Sequence, residues 1–584
     1  MKSNGFITTR KRLLIAIISI TFLFCLLAVR LFFVQVTGGE QLRARAAEQW
    51  YRDLPLKAKR GTVYDVNGKV IVDSKNVFTV YVRPRAVTDR AAVVKHLGET
   101  LGVDENSLAD KIAKCAVSEI TVKKAFRSKS AKTSRAETQR SLFLGGLRPF
   151  VSVRRVPRAG CRYTNADGEG QNGLEGYYDG YLRGTDGKSL TGTDNKGIEL
   201  ESNVTGYLPS IPGADLQTSL DIEIQGFAEK AAAGAMEEWQ AKAVNVLVMN
   251  VKTGGIAAMA HVPSYSLDDI PRSDVEMLNA YSKNTMIVDV YEPGSTFKIF
   301  TTAAAIEEGV VNDSSSFFCS GAKIVDGQRI KCWRSRGHGS QRLRDGVKNS
   351  CNGVFMDLAL RMGTEKFYNR LRSFGFGSKT GVDFYAESAG LLMNEKSVKT
   401  VDLARIGFGQ AVAVTPIQLA SAVCATVGDG IYRTPHFVER ITDYSGEVAY
   451  EFAGESRRVL SAATSEKMRG LLEAVVAEGS GKKAGVDGYR IGGKTGTAQK
   501  YEGGKIAAGK YVSSFVGFAP VQDPRYVVLM TIDEPTAGAY YGSVVAAPYV
   551  GRIFRRYSKA KESSRPKNRK KQTSAICRFW TERA

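Results

Sequence analysis

In Glu292-Pro293-Gly294-Ser295-Thr296-Phe297-Lys298, two polar residues three apart stand at the head of an apolar run, Ile299 to Ile306. Pro-Gly before such a run reads as the start of a helix, and the spacing sets Ser295 and Lys298 on one helical face of its first turn. A serine hydroxyl is a poor nucleophile until a base accepts its proton. A lysine partly desolvated beside a second cation is neutral enough to be that base, and N–H groups at a helix start can meet a developing oxyanion. The pattern is weak by itself. Ser-x-x-Lys recurs at Ser320, Ser480, Ser558 and Ser564, where a solvated pair is the ordinary reading.

Two further elements supply context. Ser350-Cys351-Asn352 precedes a second helical run, Val354 to Met362, and Lys494-Thr495-Gly496-Thr497 follows Gly492-Gly493 into a strand-like region. Lys-Thr-Gly starts at Lys252, Lys379 and Lys494. The first copy reads as a hairpin turn and the second as part of a Gly-rich loop. Only the third carries Thr497 and lies C-terminal to both other elements. Gly496 is expected to remove a side chain where a substrate lies along a strand edge.

The rest of the chain fits around this cleft. Its 584 residues are 43% apolar, enough for several packed cores and, at about 150 residues per domain, two to four domains. Leu13 to Val36 is a largely apolar run with one charge, Arg30, and long enough, at about 36 Å as a helix, to cross a bilayer. Nothing like a cleavage site follows Arg30, so an uncleaved anchor is expected. Lys2, Arg10, Lys11 and Arg12 precede it, which leaves residues 1–12 in the cytoplasm and the body outside. Residues 37–210 read as a strand-rich, non-catalytic pedestal with a turn at Asn67-Gly68 and loops around Cys161 to Gly187. A helix is expected from Asp221 to Trp239 and a strand pair from Val244, turning at Lys252 to Gly255. The catalytic domain spans 211–556, and the basic tail 557–584, with Lys559 to Lys571 at its centre, reads as disordered. The net charge of +23 suits nucleic acid, anionic lipid and anionic polymers alike. His96, His261, His338 and His436 are the only histidines, which excludes His-rich metalloenzyme motifs.

Ser295 to Lys298, Ser350 to Asn352 and Lys494 to Thr497 resemble the three motifs of the penicillin-binding protein and serine β-lactamase superfamily. Arg60 to Gly68, Gly173-Leu174-Glu175, Gly407-Phe408-Gly409-Gln410 and Thr415-Pro416 resemble class B, monofunctional penicillin-binding proteins. The Tyr291 to Gly294 lead-in and the Ser513 to Phe518 run are closer to the division and sporulation branch than to the elongation branch. The resemblance implies an α+β architecture: one transmembrane helix, an extended β-rich pedestal of the dimerisation type, and a transpeptidase domain with a central antiparallel sheet and helices.

It also implies a D,D-transpeptidase that cross-links peptidoglycan stem peptides in septal wall synthesis. Ser295 is then the nucleophile, Lys298 the acylation base, and Ser350 with Lys494 the relay to the leaving group. Asn352 binds the donor amide, Thr495 and Thr497 the terminal carboxylate along Gly496, and the N–H groups of Ser295 and Thr497 the oxyanion. Acyl transfer of this kind requires no cofactor. The implied partners are donor and acceptor stem peptides, the membrane, a polytopic glycosyltransferase, division-complex proteins, and β-lactams as inhibitors; nucleic acid is not among them. A D,D-carboxypeptidase would share the motifs, as would a serine β-lactamase, which needs neither anchor nor pedestal. A non-enzymatic division scaffold would not need Ser295, Lys298 and Lys494.

Cys319, Cys332, His338 and Cys351 form one further group. Three cysteines and a histidine suit a tetrahedral zinc site, and the spacing from Cys332 to Cys351 resembles a zinc site in the elongation branch. A Cys319–Cys332 disulfide with Cys351 as a buried thiol is the alternative. Both readings stand at this level.

Overall fold

The structure is a computed structural model that describes residues 4–36, 39, 40 and 42, most of 51–126, 150 and 151, 169–193, 199–264, 274–503 and 505–564. Helix α1 spans Asn4–Val36. Its segment Arg10–Val36 has a mean hydropathy of 2.6 and buries nothing against the protein; among the described residues it alone is long and apolar enough to cross a membrane. That is the pattern of a single-pass anchor.

The rest divides into two compact units. The first contains a three-stranded antiparallel sheet of Tyr51–Leu56, Gly187–Thr193 and Glu199–Leu208, and a pair formed by Phe78–Val82 with Ile120–Phe126. It also holds helices Arg90–Leu101 and Glu105–Lys114, which the strand-rich reading did not include. Asp89 caps the first by accepting from Ala92 N, and Gly102 ends it at φ +60°, the usual start and stop signals. Val93, Val94, Leu97 and Leu101 then pack with Leu108, Ile112, Val80 and Val82.

The second unit gathers Arg60–Lys75, Pro149–Gly184 and everything from Gly213 onward, so it takes two pieces from inside the 37–210 segment. The cause is local. The Arg60 guanidinium, 3% exposed, pairs with Glu175 at 2.6 Å and with Asp179 at 2.7 Å. A side chain at Gly61 would collide with the Ala214 carbonyl. Val63–Tyr64 runs parallel to Leu216–Gln217 in a five-stranded sheet. Residues 161–187, read as loops, contain two short helices, Gly173–Tyr177 and Asp179–Leu182, held by buried Leu174 and Leu182; residues 161–168 of that stretch lie outside the described ones.

The catalytic part of this unit is built on a second sheet. Helix α2 (Ile222–Trp239) is capped by Asp221 and leads into strands β1 (Ala243–Asn250) and β2 (Ile256–Val262). Helices α3 (Lys298–Glu307), α4 (Asn352–Met362), α5 (Pro416–Val427) and α6 (Ala462–Ala477) follow. Strands β3 (Gly492–Glu502), β4 (Lys505–Ala519) and β5 (Tyr526–Asp533) complete the sheet before helix α7 (Ala547–Ser564). The order is β2-β1-β5-β4-β3, antiparallel throughout. Val244, Val246 and Val248 pack on one face with α2 and α7, while Leu247 and Met249 pack on the other with α3 to α6. Cover on both faces explains why Val244 to Met249 is an almost continuous apolar run. Helix α7 continues to Ser564 and so takes in the start of the tail read as disordered; residues 565–584 lie outside the described ones.

Candidate active site

The nucleophile's turn is set by glycine. Gly294 has φ +52°, a conformation that favours glycine, and its N–H donates to Gly409 O at 3.0 Å. A side chain at Gly409 would collide with the Gly294 carbonyl, and Thr301 Oγ1 donates to Gly407 O at 2.8 Å. The Gly407 to Gln410 stretch is therefore the seat of this turn. Residues Gly294–Thr296 form a 3-10 turn and α3 begins at Lys298, one step later than the reading that put Ser295 inside the helix. The half-buried Ser295 hydroxyl makes no hydrogen bond among the described residues.

Three distant segments meet beside it. Lys298 Nζ donates to Ser350 O at 2.8 Å, Ser350 Oγ at 3.2 Å and Asn352 Oδ1 at 2.7 Å. Lys494 Nζ donates to Ser350 Oγ at 2.9 Å and to Thr495 O at 3.3 Å. One hydroxyl thus lies between two ammonium groups, both essentially without solvent. Ser350 holds φ +53°, which costs a non-glycine residue about 1 kcal/mol or more; the bonds from both lysines hold it there. Burial lowers Lys298 to about 7. Burial first, and then the Lys298 charge, takes Lys494 well below the usual lysine range. The arrangement therefore favours a neutral amine beside the nucleophile.

Lys494, Thr495, Gly496 and Thr497 lie on β3, the edge of its sheet, paired only with β4. An extended peptide can add to such an edge. Gly496 answers to a different need from the one read in the sequence. A Cβ there would collide with Ser514 Oγ and press on Thr296 and the Pro293 carbonyl, so the glycine lets β3 approach the nucleophile's turn. Thr497 Oγ1 donates to Gly496 O and accepts from Gly542 N. Ser480 Oγ stands 3.3 Å from Thr495 Oγ1. Ser480 was passed over as one of the weak Ser-x-x-Lys copies, and no short-range pattern points to it.

The thiols and imidazole also converge. The ligand atoms of Cys319, Cys332, His338 and Cys351 all lie within 4.8 Å of one another, against edges of about 3.7 Å in a tetrahedral zinc–thiolate site. Cys332 Sγ is 3.7 Å from His338 Nδ1, and buried His338 Nε2 has no hydrogen-bond partner. Cys319, Cys332 and Cys351 are all free thiols. A hydrogen bond between Cys351 and Cys332 lowers the Cys332 thiol below its usual range and raises Cys351. Trp333 Nε1 donates to the Asn349 and Ser350 carbonyls, each at 3.1 Å.

Residues 244–555 match the family model described as the penicillin binding protein transpeptidase domain, and 55–155 and 150–218 match the penicillin-binding protein dimerisation domain. The chain is 36% identical over 561 residues to Stage V sporulation protein D of Bacillus subtilis, covering 94% of this chain and 85% of that protein. It is 30% identical over 569 residues to the probable peptidoglycan D,D-transpeptidase PenA of Neisseria meningitidis serogroup A, covering 95% and 92%. Penicillin binding protein 3 of Mycobacterium tuberculosis, complexed with aztreonam, shares the fold with a TM-score of 0.65, 24% identity, and coverage of 88% and 98%.

Proposed function

Because the chain belongs to the class B penicillin-binding proteins, whose activity is peptidoglycan D,D-transpeptidation, we propose that Ser295 is its acyl-carrying nucleophile, acting in the division and sporulation branch of wall synthesis. One observation carries the residue roles: the Ser350 hydroxyl is shared by two buried lysines that arrive on separate elements. Ser295 Oγ attacks the carbonyl carbon of the penultimate D-alanine and passes its proton to neutral Lys298. The C–N bond to the terminal D-alanine breaks, and that nitrogen takes a proton through Ser350, with Lys494 stabilising the relay. An acceptor amine then attacks the ester carbonyl. The C–N bond forms, the C–Oγ bond breaks, and Ser295 recovers its proton.

Asn352 orients Lys298 and the donor amide, while Thr495 and Thr497 receive the terminal carboxylate. The N–H groups of Ser295 and Thr497 serve the oxyanion, where one donor contributes about 3 kcal/mol. The anchor places residues 1–12 in the cytoplasm and the body outside, within reach of a glycosyltransferase and division-complex proteins. The branch assignment is supported by the Tyr291 to Gly294 lead-in and by the likeness to the sporulation protein and PenA.

The same reading assigns Cys319, Cys332, His338 and Cys351 to a structural zinc ion, supported by their mutual distances and by the unpartnered His338 Nε2. Zinc would supply a crosslink between the 316–342 hairpins and the start of α4. The test of the whole reading is covalent: a fluorescent penicillin should label the full-length protein in membranes, and Ser295→Ala should remove the label. Persistent labelling would move the nucleophile elsewhere.

A further inference from the structure

Beside the nucleophile's turn lies a cleft of about 820 Å³ that the acylation chemistry does not use. Its walls include Phe376, Leu391, Leu392, Met393 and Val412, with Leu391–Leu392 paired to Val412–Ala413 as a short ribbon. Its lining holds three charged side chains. Arg372 and Glu395 neutralise each other at 2.7 Å. The third is Glu292, three residues before Ser295. Glu292 Oε1 accepts from Ala411 N at 3.0 Å, whereas Oε2 takes no hydrogen bond among the described residues, and the residue is part of the cleft lining. A half-buried carboxylate fixed by one oxygen and bare on the other is a receptor for a cation. Its charge also reaches Tyr501 of β3, whose phenol is raised by burial and then by Glu292.

The two reacting ends in cross-linking differ in charge. The donor presents a carboxylate, which the uncompensated negative charge of this cleft repels. The acceptor presents an ammonium on its diamino-acid side chain, which it attracts. Three residues of chain span at most about 11 Å, so a group held at Glu292 is within a side chain's reach of the acyl-enzyme. Resting on the transpeptidase reading above, we infer that the cleft is the acceptor subsite: Glu292 binds the ammonium, and the apolar wall of Leu391, Leu392 and Met393 takes the aliphatic stem of that side chain. On leaving the carboxylate for the acyl carbon the ammonium gives one proton to solvent. The amine then forms the C–N bond as the Ser295 ester C–O bond breaks.

The experiment uses the full chain in detergent, a depsipeptide donor and a soluble stem peptide with a free side-chain amine. The ratio of cross-linked product to hydrolysed donor is followed against acceptor concentration, with each value normalised to the enzyme that penicillin acylates. Glu292→Gln keeps an oxygen for Ala411 N–H and removes the charge; it should raise the half-saturating acceptor concentration about tenfold, a loss of about 1.4 kcal/mol. Leu391 is 66% exposed, so charged replacements are tolerated there. Leu391→Lys should raise that concentration and Leu391→Asp lower it, each by about threefold. Equal values in all three variants, or Leu391 changes that move the same way, would overturn the subsite alone. An acyl-enzyme that reacts only with water at every acceptor concentration would overturn the subsite together with the transpeptidase reading.

Discussion

Two buried polar clusters meet at Ser350-Cys351-Asn352, and they satisfy themselves differently. On one side, the hydrogen bonds of Lys298 and Lys494 go to Ser350, Asn352 and Thr495, so two lysine amines sit in a dry site with acceptors around them. On the other, three thiols and an imidazole face one another, and His338 Nε2 is left without a partner. Buried polar groups are costly unless paired. The lysine cluster is complete as it stands, and its strain is stored at Ser350. The thiol cluster is a set of donor atoms whose natural complement is a cation. One turn therefore carries both the proton relay and the proposed metal crosslink, and each prediction below separates the two.

Removing the shared hydroxyl should have the largest effect. Ser350→Ala deprives both lysines of one acceptor and breaks the path to the leaving group, a relay of the kind that contributes about 10²- to 10⁴-fold. Penicillin acylation followed by stopped flow should slow by that order while zinc content stays the same. Unchanged acylation would remove Ser350 from the relay.

The pH profile comes next. Lys298 acts as a base only when neutral, and burial lowers it to about 7. The acylation rate constant should rise about tenfold per pH unit below 7 and level off above it, since the deprotonated fraction saturates there. A profile flat from pH 5 to 8 would exclude Lys298 as the group that controls acylation.

The thiol side is tested by His338→Ala. If the four residues hold zinc, the wild-type protein should contain about one equivalent, and the variant should lose it. A ligand bound at 100 to 1,000 times its dissociation constant adds about 3–4 kcal/mol, so the catalytic unit should melt about 5 °C lower, with acylation slowed as Ser350 loosens. A metal-free protein with a Cys319–Cys332 bridge and full acylation would reject the zinc reading and leave the lysine cluster untouched.

What could be read in the sequence follows the range of the interaction. Ser295 with Lys298, and the trio in chain order, were legible because turn and strand chemistry is local. The role of Gly496 was not, because the atoms it makes room for come from Ser514, Thr296 and Pro293. Ser480 beside Thr495 and the Glu292 cleft were invisible for the same reason. The attachment of Arg60–Lys75 to the catalytic unit depends on Glu175 and Asp179, more than a hundred residues away. Helix Arg90–Leu101 was legible in principle from Asp89 and Gly102, signals that the strand-rich reading of 37–210 did not use.

The smallest effect is expected at Trp333, a side chain that touches both clusters. Trp333 stands edge-on to His338 with ring centres 5.3 Å apart, and its Nε1–H donates to the Asn349 and Ser350 carbonyls. Trp333→Phe keeps a ring against the imidazole and removes the donor. Trp333 is 64% exposed, so water can replace part of what is lost, and the net cost should be about 1 kcal/mol, or roughly fivefold in acylation. Zinc content and melting temperature should be nearly those of the parent. That pattern, slower acylation with the metal retained, would show that the hairpin positions Ser350 through a hydrogen bond as well as through the thiols. If zinc and acylation instead fell together, the two clusters would have to be treated as one unit.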